Sequence, residues 1–253
     1  MKKRLDRLLV DLGLARSRTQ AQDLIHEGKV FLREQCLTKP SLELSSQELS
    51  SSDFRIEQGL SNRFVSRGGL KLEAALKHFG LKVQGTVCLD VGISTGGFTD
   101  CLLREGAEKV VGVDVGHNQL SEVLKKNPKV HLIEGLNARD LTCQSLGDHF
   151  PMQGFNLIVA DLSFISLGTV LPRFPQLLSK DGQLLCLVKP QFEVGPQGLD
   201  HRGIVSDPLE FSRVQKKIED WAGDLALVVR GYWESSLRGR DGNTEFFLWA
   251  SMG

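Results

Sequence analysis

The stretch TVCLDVGISTGGFTD, residues 86–100, decides how the larger part of this chain folds. It opens with a short apolar run ending near Asp90, breaks at Gly92, and breaks again at Gly96 and Gly97. Apolar residues then return at helical spacing in FTDCLLREG, residues 98–106. A strand, a glycine turn and a helix in that order open a βαβ unit. The same grammar recurs downstream in KVVGVDVG (109–116), VHLIEG (130–135), FNLIVADL (155–162) and GQLLCLVKP (182–190), with amphipathic stretches between. The first four runs are rich in Val, Ile and Leu, as parallel strands buried on both faces must be.

The expected architecture is an α/β, doubly wound, Rossmann-like sheet. The last two runs, LALVVRGYWES (225–235) and NTEFFLWAS (243–251), lie too close for a crossover helix and are predicted to pair antiparallel. A parallel sheet closed by an antiparallel last strand is the arrangement expected of the common methyltransferase fold.

In such a sheet a ligand sits beyond the carboxyl ends of the strands. The glycine spacing G-x-x-x-G-G fits neither the Walker P-loop nor the dinucleotide motif G-x-G-x-x-G. An acid at Asp90 would repel a pyrophosphate but suits an amino group, and the glycines let a ligand approach the backbone. The pattern therefore favours S-adenosylmethionine (SAM), held by Asp90, Gly92, Ser94, Thr95, Gly96 and Gly97. Asp114, with Val115 beside it, follows the second strand, where an acid accepts ribose hydroxyls. Asn137 and Ala138 follow the third strand and are placed to flank the adenine, and Asp161 follows the fourth.

Composition sets the outer bounds. The 253 residues carry 31 basic and 31 acidic side chains, so affinity for nucleic acid must come from local clustering. Residues 1–33 hold eight Lys/Arg against four acids. No signal-type or spanning apolar run is present in the sequence, and five scattered cysteines without a C-x-x-C pair read as buried thiols of a reducing compartment. The expected location is the cytoplasm.

The N-terminal part reads as a separate small α+β module. Leu5, Leu8, Leu9 and Leu12 have helical spacing up to Gly13. A second helix is predicted from Ser17, with Gln20 as its capping-box partner, to a stop at Gly28; KVFL then forms a short strand. The run LARSRTQAQDLIHEGKV, residues 14–30, resembles the S4 RNA-binding module over most of residues 2–58. One departure is REQ, residues 33–35, where that module often turns on Asn-Gly. The candidate RNA contacts are Arg4, Arg7, Arg16, Arg18 and Lys29, with Arg63 and Arg67 near the joint. The expected division is an S4-like domain over 1–59, a linker over 60–65 and a methyltransferase domain over 66–253.

Four polar residues stand at informative places: Lys71 in the helix that opens the second domain, Asp161, Lys189 at the end of the fifth strand, and Glu245 in the last. Singly, each reads as an ordinary solvated or capping side chain. Together, a Lys-Asp-Lys-Glu set around a SAM site resembles the FtsJ-like ribose 2′-O-methyltransferases. The strings VSRGGLKL, STGGFTD, ADLSFISL, LVKPQFEVG and GNTEFFLW, with the S4-like module, resemble the TlyA family of ribosomal RNA methyltransferases, often labelled haemolysins.

That resemblance implies methylation of a cytidine 2′-hydroxyl in ribosomal RNA, or in a ribosomal subunit, with Lys71, Asp161, Lys189 and Glu245 as the catalytic set and no metal. The chemistry needs alignment and removal of a hydroxyl proton. Lys189 is the candidate base, with Asp161 orienting it and Glu245 holding Lys71. The four side chains sum to zero charge, so bound SAM is the expected factor that tips Lys189 toward its neutral form. The chain stops four residues after Trp249, and the shorter form in this family is associated with large-subunit RNA. VGPQGLDHRGIVSDP, residues 194–208, reads as either a mobile loop over the site or a passive connection. The rival classes are a membrane-lytic protein, an RNA-binding protein without transferase activity, and a dinucleotide-dependent enzyme.

Overall fold

Leu5, Leu8 and Leu9 line one face of the first helix, α1 (Leu5–Asp11), and share a small core with Leu24, Ile25 and Val30. This core belongs to the first of the two units into which the computed structural model divides the chain, Met1–Arg67 and Gly68–Gly253. The structure describes residues 2–45, 47–57, 63–239 and 241–253; residues 60–62 of the expected linker and residues 58–59 of the expected first domain lie outside the described residues.

In the first unit, Ser17 caps the second helix, α2 (Arg18–His26), by accepting the Gln20 N–H at 3.2 Å. The return bond differs from the expected capping box, because Gln20 Oε1 accepts from the Arg16 N–H, at 2.8 Å. Gly28 follows with φ of 67°, the left-handed conformation that ends a helix. Ser17→Ala is expected to cost about 1 kcal/mol, read as a lower denaturation midpoint; an unchanged midpoint would mean that the Gln20–Arg16 bond suffices.

The strands of this unit are β1 (Lys2–Arg4), β2 (Val30–Leu32), β3 (Gln35–Cys36), β4 (Glu43–Ser45) and β5 (Phe54–Ile56). β1 pairs with β4, and β2 lies between β3 and β5, all antiparallel. β1 went unread because Lys-Lys-Arg carries no apolar alternation. Leu32 pairs with Gln35, so the turn is only Arg33-Glu34, and Arg33 adopts the left-handed φ of 53° that Asn or Gly usually supplies. Its N–H donates to Asp53 O at 2.9 Å, which ties the turn to the segment before β5.

Helix α3 (Arg67–Phe79) starts at the last residue of the first unit, opens the second, and buries Leu72, Ala75 and Leu76. There follow β6 (Val87–Val91), α4 (Gly97–Arg104), β7 (Lys109–Asp114), α5 (Glu122–Lys125), β8 (Val130–Glu134), α6 (Cys143–Leu146), β9 (Phe155–Ala160), α7 (Leu167–Val170), β10 (Leu178–Val188), α8 (Pro208–Asp224), β11 (Leu227–Glu234) and β12 (Phe246–Met252). The seven strands form one sheet in the order β11-β12-β10-β9-β6-β7-β8. β6 to β10 are mutually parallel, and β12 inserts between β10 and β11 antiparallel to both. The α/β doubly wound reading with an antiparallel last strand is therefore the observed fold. Strand order reverses beside β6, which opens a crevice at the carboxyl ends of β6 and β9.

Among the cysteines, Cys88, Cys101 and Cys186 are buried and Cys143 is partly so. Cys36 departs from the expectation of burial: it is exposed, because β3 is an edge strand of a small sheet.

Candidate active site

The glycine loop after β6 is shaped by contacts on both sides. A Cβ on Gly92 (φ 85°) would stand 2.6 Å from Asp161 O, so the loop packs directly on the end of β9. A Cβ on Gly96 (φ 92°) would stand 2.3 Å from a Leu124 methyl carbon. Gly92 is required by space as well as by torsion, since the atom it meets is backbone, and Gly96 by its torsion. Gly97 begins α4, whereas Ser94 and Thr95 stand exposed on the loop.

Asp90 lies within β6, 1% exposed. Thr99 Oγ1 donates to its Oδ2 at 2.7 Å, while Oδ1 is buried with no hydrogen-bond partner among the described residues. Burial pushes its carboxyl up to about 7; the Thr99 bond opposes this, and the nearby Asp161 and Asp114 charges add to it. An unpartnered acceptor in that position fits the ammonium of an amino-acid moiety such as that of SAM. Asp114 has a second job besides the expected one. Its oxygens accept the Ser94 N–H at 2.8 Å and the Gly116 N–H at 2.7 Å, closing the glycine loop against the end of β7. Each oxygen keeps one further lone pair for a ribose hydroxyl. Val115 is 64% exposed beside it, an apolar surface open to a ligand. Asn137 caps a short turn by accepting the Arg139 N–H at 3.0 Å, and Ala138 is 9% exposed in the core.

The four charged residues form two ion pairs. Lys189 Nζ lies 2.6 Å from Asp161 Oδ1 and donates to Ser163 Oγ at 2.9 Å. Lys71 Nζ donates to Glu245 Oε2, with the two residues only 8% and 3% exposed. β9 and β10 pair in register up to Ala160 and Cys186, so Asp161 and Lys189, which follow, meet at the same end of the sheet. Glu245 directly precedes β12, where its carbonyl accepts the Ser235 N–H at 2.8 Å and so fixes the residue against the end of β11. In the Lys71–Glu245 pair either partner alone would be an uncompensated buried charge.

Sequence reasoning missed several neighbours. Ser163 and Thr99 are polar residues with no distinguishing spacing. Phe164 has φ of 62° and is 90% exposed, with the Phe192 ring beside it at a centroid distance of 5.3 Å. A large exposed ring on left-handed backbone next to Lys189's partner Ser163 is a surface on which an unpaired base can stack. Asn243 is 3% exposed and pins the Gly/Pro-rich segment: its Oδ1 accepts the Val205 N–H and its amide donates to Gly203 O, both at 3.1 Å. The C-terminal half of the 194–208 segment is thus anchored close to Glu245 in the chain.

In the first unit, Asp6 is fully buried and gathers four donor bonds. Arg4 gives two at 3.1 and 3.0 Å, Arg18 one at 3.1 Å and Gln22 one at 2.8 Å. The Arg4 guanidinium holds the Asp6 carboxyl well below the usual carboxylate range. The two half-exposed guanidiniums are thereby fixed side by side. The other candidate contacts are not gathered there. Lys29 pairs with Glu57 at 3.6 Å, Arg67 with Asp23 at 4.0 Å, Arg63 lies over the Phe64 ring, and Arg7 and Arg16 are exposed on and after α1.

Comparison with known proteins places these features. The profile described as FtsJ-like methyltransferase matches residues 64–252, and that of the S4 domain matches residues 3–49. The chain is 42% identical over 246 residues to the 16S/23S rRNA (cytidine-2′-O)-methyltransferase TlyA of Mycobacterium tuberculosis, covering 97% of this chain and 88% of the relative. It is 35% identical to Hemolysin A of Brachyspira hyodysenteriae, over 96% of this chain and 97% of that one. A solved structure from Streptococcus thermophilus, also carrying a haemolysin label, superposes with a TM-score of 0.76 at 34% identity, covering 99% of this chain and 88% of its own.

Proposed function

Since the chain belongs to the FtsJ-like methyltransferase family, with an S4 domain ahead of the catalytic fold, we propose that it transfers a methyl group from SAM to the 2′-hydroxyl of a cytidine in ribosomal RNA. The observation that supports this most is the pairing of Lys189 with Asp161 and of Lys71 with Glu245, with Asp161 close enough to the buried Asp90 for its charge to act on it. SAM, when bound, supplies the electrophilic methyl group. Asp90 and the loop from Gly92 to Gly97 hold its amino-acid end, and Asp114 and Val115 its nucleoside end. Lys189, once it has released its own proton with SAM bound, takes the proton of the attacking hydroxyl, steadied by Asp161 and Ser163, while Glu245 keeps Lys71 in place.

The assay is transfer of labelled methyl from SAM to large subunits, small subunits and free ribosomal RNA, each tested separately. Label in the ribose of a cytidine is expected; no transfer to any of them, under conditions where SAM binds, rejects the proposal. The haemolysin label calls for leakage of liposome contents as the counter-test. No helix among the described residues is long and apolar enough to cross a membrane, and no leakage is expected.

RNA affinity is assigned to the S4 domain, where Asp6 sets the posture of Arg4 and Arg18. Asp6→Asn removes a negative charge, which by electrostatics alone raises affinity for a polyanion. We expect the opposite, a fall of about tenfold, because the two guanidiniums lose the acceptor that pre-orients them. Filter binding to ribosomal RNA at fixed salt decides between the two signs, with circular dichroism confirming the fold of the variant.

A further inference from the structure

Ala160 with Cys186 is the last paired rung of β9 and β10, and beyond it no further rung joins them among the described residues. Lys189 spans the gap once, to Asp161 and Ser163. A second bridge stands deeper. Glu193, 8% exposed, accepts the Ser166 hydroxyl on Oε2 and the Leu167 N–H on Oε1, both at 2.6 Å. Its own backbone is rigidly tied to Lys189, since the Phe192 N–H donates to Lys189 O and the Glu193 N–H to Pro190 O, each at 2.9 Å. From α8, Lys217 Nζ donates to Glu193 O at 2.8 Å and lies 3.9 Å from Oε2. The residues between these anchors are the ones that face the chemistry: Ser163, which accepts from Lys189, and exposed Phe164, on left-handed backbone. A buried carboxylate is costly unless its bonds are used. Here burial pushes the carboxyl of Glu193 up, and its bonds to Ser166 and Leu167 and the charge of Lys217 oppose that.

We propose that Glu193 is a positioning residue for methyl transfer: it clamps the Ser163–Ser166 segment against the strand end that carries Lys189, so that the base, its hydroxyl partner and the Phe164 ring keep one geometry. The proposal rests on the reading of Lys189 as the base. Glu193 acts through the two segments that it joins. Misplacement of reacting groups by an ångström costs up to about a hundredfold in rate, and that is the scale expected when the clamp is removed.

The test compares Glu193→Ala, Glu193→Gln and Ser166→Ala in the full chain, using single-turnover methyl transfer to ribosomal RNA at saturating RNA, with SAM affinity measured separately. Glu193→Ala is expected to lose about 30-fold in rate per folded molecule with SAM affinity within about threefold of wild type. Glu193→Gln is expected to retain at least about a third of the rate. Its carboxamide oxygen can accept the Leu167 N–H and its NH2 can donate to the Ser166 hydroxyl. If the alanine variant does not fold, Ser166→Ala carries the test, with an expected loss of about threefold to fivefold. An unchanged rate in folded Glu193→Ala, or in Ser166→Ala where that is the variant used, overturns the proposal. So does an equal loss in the glutamine and alanine variants, because then charge and not the clamp is what transfer needs. A wild-type chain that methylates no ribosomal RNA overturns the functional reading first, and this proposal with it.

Discussion

Lys189→Ala is expected to lower the rate of methyl transfer by about a thousandfold while the dissociation constant for SAM changes by less than about threefold. General-base contributions run from about a hundredfold to ten-thousandfold, and here no other described side chain shares the contacts of Lys189 with Asp161 and Ser163. The split between rate and affinity is expected because Lys189 follows β10, whereas Asp90, the acid assigned to the amino group of SAM, lies in β6. Lys189→Arg is expected to be as inactive as the alanine variant. A guanidinium stays protonated throughout the working range and has no lone pair to take a proton. Stopped transfer reactions with labelled SAM, alongside equilibrium SAM binding, give both quantities. Retention of more than about a tenth of the rate in Lys189→Ala would remove Lys189 from the role of base.

The second large effect concerns Asp90 and pH. With its carboxyl raised to about 7 in the folded protein and an ordinary value near ~3.8 in the unfolded chain, the folded state binds the extra proton across that window. The sign follows: this group favours the folded state most below about pH 4, and that contribution is lost as pH rises through about 7. Ligand binding runs the other way. Only the carboxylate attracts an ammonium, and an α-amino group loses its proton near ~8. SAM affinity is therefore expected to peak between these values and to fall about twentyfold from pH 7.5 to 5.5.

Binding near pH 6.5 should release a proton, visible as a dependence of calorimetric heat on the ionisation enthalpy of the buffer. Asp90→Asn is expected to weaken SAM by roughly a hundredfold at pH 7.5, the scale of a lost charge-assisted hydrogen bond left unpaired, and to flatten the acid limb. A flat affinity profile in wild type, or an unchanged profile in Asp90→Asn, would separate Asp90 from the ammonium.

The glycine-broken stretch at 86–100 and the alternation that follows it were enough to determine an α/β sheet with a ligand loop after its first strand. Such patterns are local: a run of Val, Ile and Leu bounded by glycine has few ways to be buried, whatever lies elsewhere in the chain. For the same reason Ser17 and Gly28 marked the ends of α2 from their immediate neighbours alone. Long strings around Lys71, Asp161, Lys189 and Glu245 carried the family and the candidate set.

The family resemblance already paired Asp161 with Lys189 and Glu245 with Lys71; the fold makes the contacts, bringing together Lys71 and Glu245 from 174 positions apart, and adds partners that no pattern announced, such as Ser166 and Glu193, 27 apart. Asp90 reads in sequence as a plain strand-end acid, and only burial gives it an open acceptor and a raised proton affinity. Arg4 and Arg18 read as two surface charges, and only the buried Asp6 between them makes them a pair. Sequence determined which side chains are available at each strand end, because strand and turn are short-range. Tertiary structure decided which of them share a low-dielectric space and a hydrogen bond, because both depend on segments that the chain brings together only after folding.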